Sequence, residues 1–197
     1  MWKQFIPAFR IMAVITCLTG LLYPVVVTGL AQLLFPHQAD GSLVVKDGRI
    51  VGSSLIGQNF TRPEYLQPRP SAAGSNGYDA SASAATNLGP TSRKLADRIQ
   101  AAVAQFHREN PDFAGPIPAD LLTASASGLD PDVSPASADA QAARIAHARR
   151  IPVEQVRQLI AQHVVRRDLG FLGEPRVNVL ALNLALDREF PEKQPPR

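Results

Sequence analysis

The sequence predicts an α+β fold: one N-terminal transmembrane helix, then a single mixed α/β extracytoplasmic domain with long ordered loops. Three observations carry this reading. Residues Ile11 to Phe35 form a run of 25 positions without a charged side chain. An Asp47-Gly48 pair separates two short apolar stretches, which is the pattern of a β-hairpin. Beyond residue 91 apolar residues recur at helical spacing, whereas residues 57–90 are dominated by Gly, Ser, Ala, Asn and Pro.

At ~1.5 Å per residue the apolar run spans roughly 38 Å as a helix, enough to cross a hydrocarbon core of ~30 Å with some tilt. Lys3 and Arg10 precede it, and no acidic residue occurs before Asp40. Basic flanks stay on the cytoplasmic side. Residues 1–10 are therefore expected inside, 11–35 in the membrane and 36–190 outside, with 191–197 as a flexible tail. The competing reading is a cleaved secretory signal, whose apolar region runs ~7–15 residues and ends in small residues. Here Leu33, Leu34 and Phe35 are bulky at the exit, and Gly29-Leu30-Ala31 lies inside the apolar run. An uncleaved anchor is the expectation.

Inside this segment Pro24 removes a backbone donor and is expected to kink the helix. Thr16, Gly20, Pro24, Thr28 and Gln32 recur every four residues, and small or polar side chains let membrane helices approach and hydrogen-bond. They are the candidates for packing against a partner helix, although a spacing of four drifts ~40° per step around the axis. Gln32, near the outer boundary, needs a hydrogen-bond partner or water. Cys17 is the single cysteine, which excludes an internal disulfide and a cysteine-based metal site.

The exit is short and polar, Pro36 to Ser42. Leu43–Lys46 and Arg49–Ile56 read as two strands around Asp47-Gly48. Residues 57–90 form a long loop, and Phe60, Tyr65 and Tyr78 within it argue that it is docked, not disordered. Helical pattern resumes at Thr91, with Leu95, Ile99, Val103 and Phe106 on one face and Pro111 as the stop. Pro118–Leu122 reads as one further turn. A second helix starts at Ser134-Pro135, Ser as N-cap and Pro at the first helical position. Its face is Ala138, Ala142, Ile145 and Ala146. A third begins at Pro152 and carries Val153, Val156, Leu159, Ile160 and Val164. Val177–Leu184 reads as a strand.

Beyond the anchor, 18 basic residues face 17 acidic ones, a balance that excludes the clustered basic excess of a nucleic-acid binder. No Ser lies in a G-x-S-x-G or S-x-x-K setting, and no phosphate-binding glycine loop is present. His107, His147 and His163 fall on helices near Arg, where exposure is the expectation. Asp130 and Asp132 are spaced like the start of a calcium loop, but Val133 and Ser134 replace the further ligands; a turn leading to the N-cap is expected. No catalytic residue, metal site or intrinsic cofactor follows from these patterns, and an anchored hydrolase has no motif to support it.

The segments without simple secondary structure are the distinctive ones. Gly57-Gln58-Asn59-Phe60, Arg69-Pro70-Ser71-Ala72 and Asn87-Leu88-Gly89-Pro90-Thr91-Ser92 resemble the C chain of the bacterial potassium-importing P-type ATPase, the Kdp complex. So do Asp120 to Pro131, Ser134-Pro135, and Gln141, Arg144, Ala146 and Arg149 at the family's spacing. Leu172-Gly173-Glu174-Pro175-Arg176-Val177-Asn178-Val179-Leu180 closes the resemblance, and Leu18-Thr19-Gly20 with Tyr23-Pro24 extends it into the anchor. It covers residues from about 10 to about 187. The family carries more Gly near 82–86, where this chain has Ser81-Ala82-Ser83-Ala84-Ala85.

What the resemblance implies is an accessory subunit of the inner membrane, its domain in the periplasm. In that family the A chain conducts potassium, the B chain hydrolyses ATP through an aspartyl phosphate, and the C chain lies over the A chain's mouth; a small F chain completes the complex. The alternative attached to the family is a chaperone raising the B chain's ATP affinity, with Gln141 touching the nucleotide. From pattern alone Gln141 is a helix-surface residue, and the charge rule puts it on the side opposite cytoplasmic ATP. Asn59, Arg69, Asn87, Arg176 and Asn178 are the interface or loop-ordering candidates.

Overall fold

The computed structural model describes residues 2–191. The expected tail therefore lies outside the described residues, except for Pro191. The chain divides into two compact units, Met1–Ser53 and Ser54–Arg197, and each is built on its own terms.

The first unit opens with a helical span from Trp2 to Leu34, 33 residues, whose apolar stretch is nowhere buried against other protein. It begins well before the apolar run and continues through Pro7. It comprises α1 (Trp2–Cys17), a π-helical turn (Leu18–Leu22) and α2 (Tyr23–Leu34). The π turn answers the expectation at Pro24. Proline has no N–H, and its ring would strike the carbonyl four residues back, that of Gly20. The wider turn, in which the Tyr23 N–H donates to the Leu18 carbonyl, takes up that mismatch. Thr16, Gly20, Pro24, Thr28 and Gln32 are all exposed, and the Gln32 amide donates to Asp40 Oδ1 at 3.1 Å.

A single turn, α3 (Pro36–Ala39), leads to the antiparallel pair β1 (Leu43–Lys46) and β2 (Arg49–Ser53). Asp47 and Gly48 lie at φ +52° and +75°, the tight turn whose twist matches the strands. The second strand ends at Ser53, short of the expected Ile56. Its partner begins only at Leu43, after Gly41 and Ser42 turn the chain at φ +88° and +51°, so no backbone remains to pair with.

The second unit holds the core. Leu66 and Ala73 from the long loop are fully buried, as docking requires. The helices are α4 (Arg93–Glu109), α5 (Pro135–Ala140), α6 (Ala142–Arg149), α7 (Val153–Gln162) and α8 (Val179–Glu189). Strands β3 (Asp132–Val133), β4 (Val164–Val165) and β5 (Arg176–Asn178) form an antiparallel sheet in the order β3-β5-β4. Val133 and Val177 from the sheet meet Ala138, Ala142, Ile145, Val156, Leu159, Leu182 and Leu186 from the helices. Of the face expected on α4, only Phe106 is buried; it meets Phe113 edge-on at 5.6 Å.

Three further expectations are corrected. α7 ends at Gln162, so Val164, expected on that helix, lies in β4. The helix starting at Pro135 is two helices, broken at Gln141 (φ −98°, ψ −7°). The strand expected over 177–184 is three residues of strand followed by α8. Asn178 makes the switch: its Oδ1 accepts the Ala181 N–H at 3.0 Å, the geometry of a helix N-cap. Val179, Leu182, Asn183 and Leu186 are then buried together, the spacing of a helical face and not of a strand. Leu and Ala, which fill this stretch, are strong helix formers.

None of residues 81–85 lies at positive φ, so the backbone there makes no demand for glycine. Gly57 and Gly128 are different. A Cβ on Gly57 would stand 2.5 Å from the Asp130 carbonyl oxygen and from the Tyr78 ring, and one on Gly128 (φ +69°) 2.8 Å from the Ala73 nitrogen and Ala84 oxygen. Gly57→Ala and Gly128→Ala are each expected to cost about 2–4 kcal/mol, and Gly89→Ala, with nothing within 4 Å, under about 0.5 kcal/mol. Urea unfolding of the full chain in detergent, followed by circular dichroism, checks the ranking.

Candidate functional site

The long loop passes through the domain at Pro63–Gln67 without joining a sheet. A buried backbone must still satisfy its polar groups, and here side chains from three helical segments do so. Asn183 of α8 accepts the Leu66 N–H at Oδ1 (2.8 Å) and donates Nδ2 to the Leu66 carbonyl (2.9 Å). Gln141, at the break between α5 and α6, repeats this at the next residue: Oε1 accepts the Gln67 N–H (2.9 Å) and Nε2 donates to its carbonyl (3.1 Å). Arg144 donates to the carbonyls of Pro63 and Tyr65, to Gln141 Oε1 at 2.6 Å and to Asn110 Oδ1 at 3.0 Å. Arg149 donates to the Glu64 carbonyl, and also to the carbonyls of Leu186 and Phe190 and to Asp187. Every carbonyl from Pro63 to Gln67 thus has a side-chain donor.

Burial makes these contacts consequential. Gln141 is 1% exposed and Asn183 2%; the helix-surface reading of Gln141 is corrected, because its amide turns inward onto the Gln67 backbone and Arg144. Burial pulls the Arg144 guanidinium down to about 10, against the pull of Glu109 and Glu64. Glu64, itself buried, pairs with Arg62. Tyr65 lies under the guanidinium groups of Arg62 and Arg149 at 5.5 and 5.2 Å, and its hydroxyl is raised above the usual phenol range by burial and by Asp187.

A second network gathers the other motif residues. Arg69 pairs with Asp130 at 2.7 Å. Asp130 Oδ1 accepts the Asp132 N–H, so this stretch is the turn that its spacing suggested. Asp132 pairs with Arg176 at 3.2 Å and accepts from Asn178 at 3.0 Å, and Asn178 also donates to the Ser54 carbonyl. Burial, opposed by Asn178 and reinforced by Asp130, leaves the Asp132 carboxyl above its usual range. Asn59 lies apart and donates to the Asn76 carbonyl. Asn87 is exposed at φ +51°, a conformation Asn tolerates better than most residues. Among the described residues no group of three or more His, Cys, Asp or Glu is placed to hold a metal.

Asp120 anchors the start of α5. Burial pushes its carboxyl up, but bonds from the Ser137 hydroxyl and from the Ser134 N–H and hydroxyl outweigh it and hold it below the usual range. A cleft of about 450 Å³ lies between the two networks, lined by Gln67, Arg69, Gln105, Glu109, Phe60 and Tyr78 among others. It offers aromatic faces and amides but no paired nucleophile and base. Sequence reasoning did not single out Asn183. Its signal was an amide within Leu182-Asn183-Leu184, an apolar helix stretch where a buried amide must be bonded.

The molecule thus belongs to a definable class: one exposed apolar helix long enough to cross a bilayer, joined to an α+β domain whose loops are pinned by side chains. The family model described as "K+-transporting ATPase, c chain" (KdpC) matches residues 5–188. The chain is 59% identical to the potassium-transporting ATPase KdpC subunit of Myxococcus xanthus, across 96% of this chain and 90% of that protein. It is 57% identical to the KdpC subunit of Gemmatimonas aurantiaca (95% and 94% covered) and 53% identical to that of Beijerinckia indica (100% and 99% covered). The chain belongs to the KdpC family.

Asn183→Ala is expected to lower stability by about 2–4 kcal/mol, because it leaves the buried N–H and carbonyl of Leu66 unbonded; Gln141→Ala is expected to do the same, because it frees the half-buried Gln67 backbone and strips the buried Arg144 of an acceptor. The two sites hold adjacent residues, so a double-mutant cycle should show a coupling above about 0.5 kcal/mol.

Proposed function

We propose that this chain is a non-catalytic subunit of an ATP-driven, high-affinity potassium importer, anchored by one membrane helix and bracing or capping the outer entrance of the potassium-conducting A chain. Family membership supports the complex, and the observation that carries the mode of action is the Trp2–Leu34 helix. No residue of its most apolar 18-residue window is buried, and lipid with a partner helix is the cover that such a surface calls for. Lys3 and Arg10 before the span and Asp40 after it support a cytoplasmic amino terminus, an inner-membrane single pass and a periplasmic domain. Potassium selection then falls to carbonyl rings of the A chain, and ATP hydrolysis to the B chain; the small F chain is a further neighbour. On this reading the chain needs no cofactor of its own.

The second reading, a chaperone that raises the B chain's affinity for ATP, asks Gln141 to meet nucleotide. Against direct contact stand its 1% exposure and the engagement of its amide by Gln67, Ser137 and Arg144. A nucleotide would have to displace those bonds.

A tagged copy of the chain is expected to co-purify with both large chains, and deletion to abolish growth at limiting potassium. Normal assembly and transport by the A and B chains without it would sink the proposal. A reporter fused at residue 100 is expected to be active only outside the cytoplasm; cytoplasmic activity would return the nucleotide reading to first place.

A further inference from the structure

The helical span is longer than a bilayer. Its 33 residues, Trp2 to Leu34, measure about 50 Å at ~1.5 Å per residue, against ~40–45 Å for a bilayer with its headgroups. The excess lies at the amino end, and the pattern of side chains changes there. From Ile11 onward uncharged, mostly apolar residues surround the helix. Before Ile11 the large apolar ones keep to one side: at ~3.6 residues per turn, Trp2, Phe5, Ile6 and Phe9 fall within about 100° of one another. Lys3 and Arg10 fall within about 20° of each other and flank the Ile6 edge of that stripe. Trp2 is 83% exposed and Ile6, the least exposed of the four, 55%. The nearest acid in this unit is Asp40, beyond the far end of the span, so neither basic side chain has a carboxylate of its own helix to pair with.

We propose that residues 2–10 are an interfacial segment that binds the anionic headgroups of the leaflet at the amino-terminal end of the span. This rests on the membrane-span reading above and adds the lipid that the span meets. Three features select anionic lipid. A one-sided apolar stripe flanked by basic side chains is the pattern of a helix lying in the interface, its apolar face at the acyl boundary and its cations at the phosphates. Lys3 and Arg10 carry their charges on long stems that stay against hydrocarbon while the heads reach the headgroups. Trp2, at the end of the segment, is of the residue type that membrane interfaces hold. Pro7, inside α1, has no N–H to give the Lys3 carbonyl and is a point where a helix bends, so the segment can tilt into the interface instead of standing in water. A lipid surface supplies both halves of the pattern, apolar chains below and phosphates above, where the segment leaves the hydrocarbon.

The full chain in vesicles tests this through Trp2, the single tryptophan of the sequence. In mixed vesicles brominated phosphatidylglycerol should quench Trp2 more strongly than the same fraction of brominated phosphatidylcholine. The relative association constant should favour the anionic lipid by about thirtyfold, or about 2 kcal/mol for two cations. Lys3→Gln combined with Arg10→Gln should abolish the preference while both lipids still quench, and high salt should do the same to the unmodified chain. Both side chains are exposed and lie outside the domain, so its thermal unfolding should not move. Equal quenching by the two lipids in the unmodified chain, or a preference that survives the double substitution, overturns the proposal and leaves the span standing. So does a Trp2 that neither lipid quenches and that only the large chains shield from acrylamide, which assigns the stripe to a protein contact. A chain that does not float with the vesicles defeats the membrane-span reading itself, and this proposal with it.

Discussion

A loop docked against the core of a domain must find partners for its backbone, and at Pro63–Gln67 those partners are side chains. The sheet of the domain has three short strands and cannot extend a fourth across this region. Asn183 and Gln141 act in its place, each presenting a donor and an acceptor to one residue as a neighbouring strand would. Arg144 and Arg149 supply the remaining donors to the carbonyls between. The arrangement locates α6 and α8 against the loop, brings Leu66 into the core, and holds Arg69 beside Asp130. Removing any one amide exposes buried polar groups on both sides, which costs more than the bond itself gains.

Much of this was legible in the chain. The apolar run, the Asp47-Gly48 hairpin, the Ser134-Pro135 helix start and the buried faces of α6 and α7 all follow from periodicity and capping, which are local. The failures are tertiary. Gln141 breaks a helix because its amide is drawn to Gln67, more than 70 residues away in sequence. Val179 begins a helix and not more strand because Asn178 caps it while Leu182 and Leu186 find the core. Nor could spacing show that Arg69, Asp130, Asp132, Arg176 and Asn178 belong to one network. The resemblance carried Arg69, Asp130, Arg176 and Asn178 in separate motifs; the fold brings them together around Asp132.

The same economy bears on function. The polar motif residues of the domain are engaged in holding its own loops. What remains available is surface: the exposed anchor helix and the cleft beside Arg69.

The side-chain satisfaction of Pro63–Gln67 is tested most directly by amide hydrogen exchange in the full chain. The Leu66 and Gln67 amides should exchange as slowly as those of Ile145 and Leu182 in the core helices, because opening them requires α6 or α8 to move. Exchange as fast as that of the exposed loop residues Ser75 and Asn76 would contradict the account.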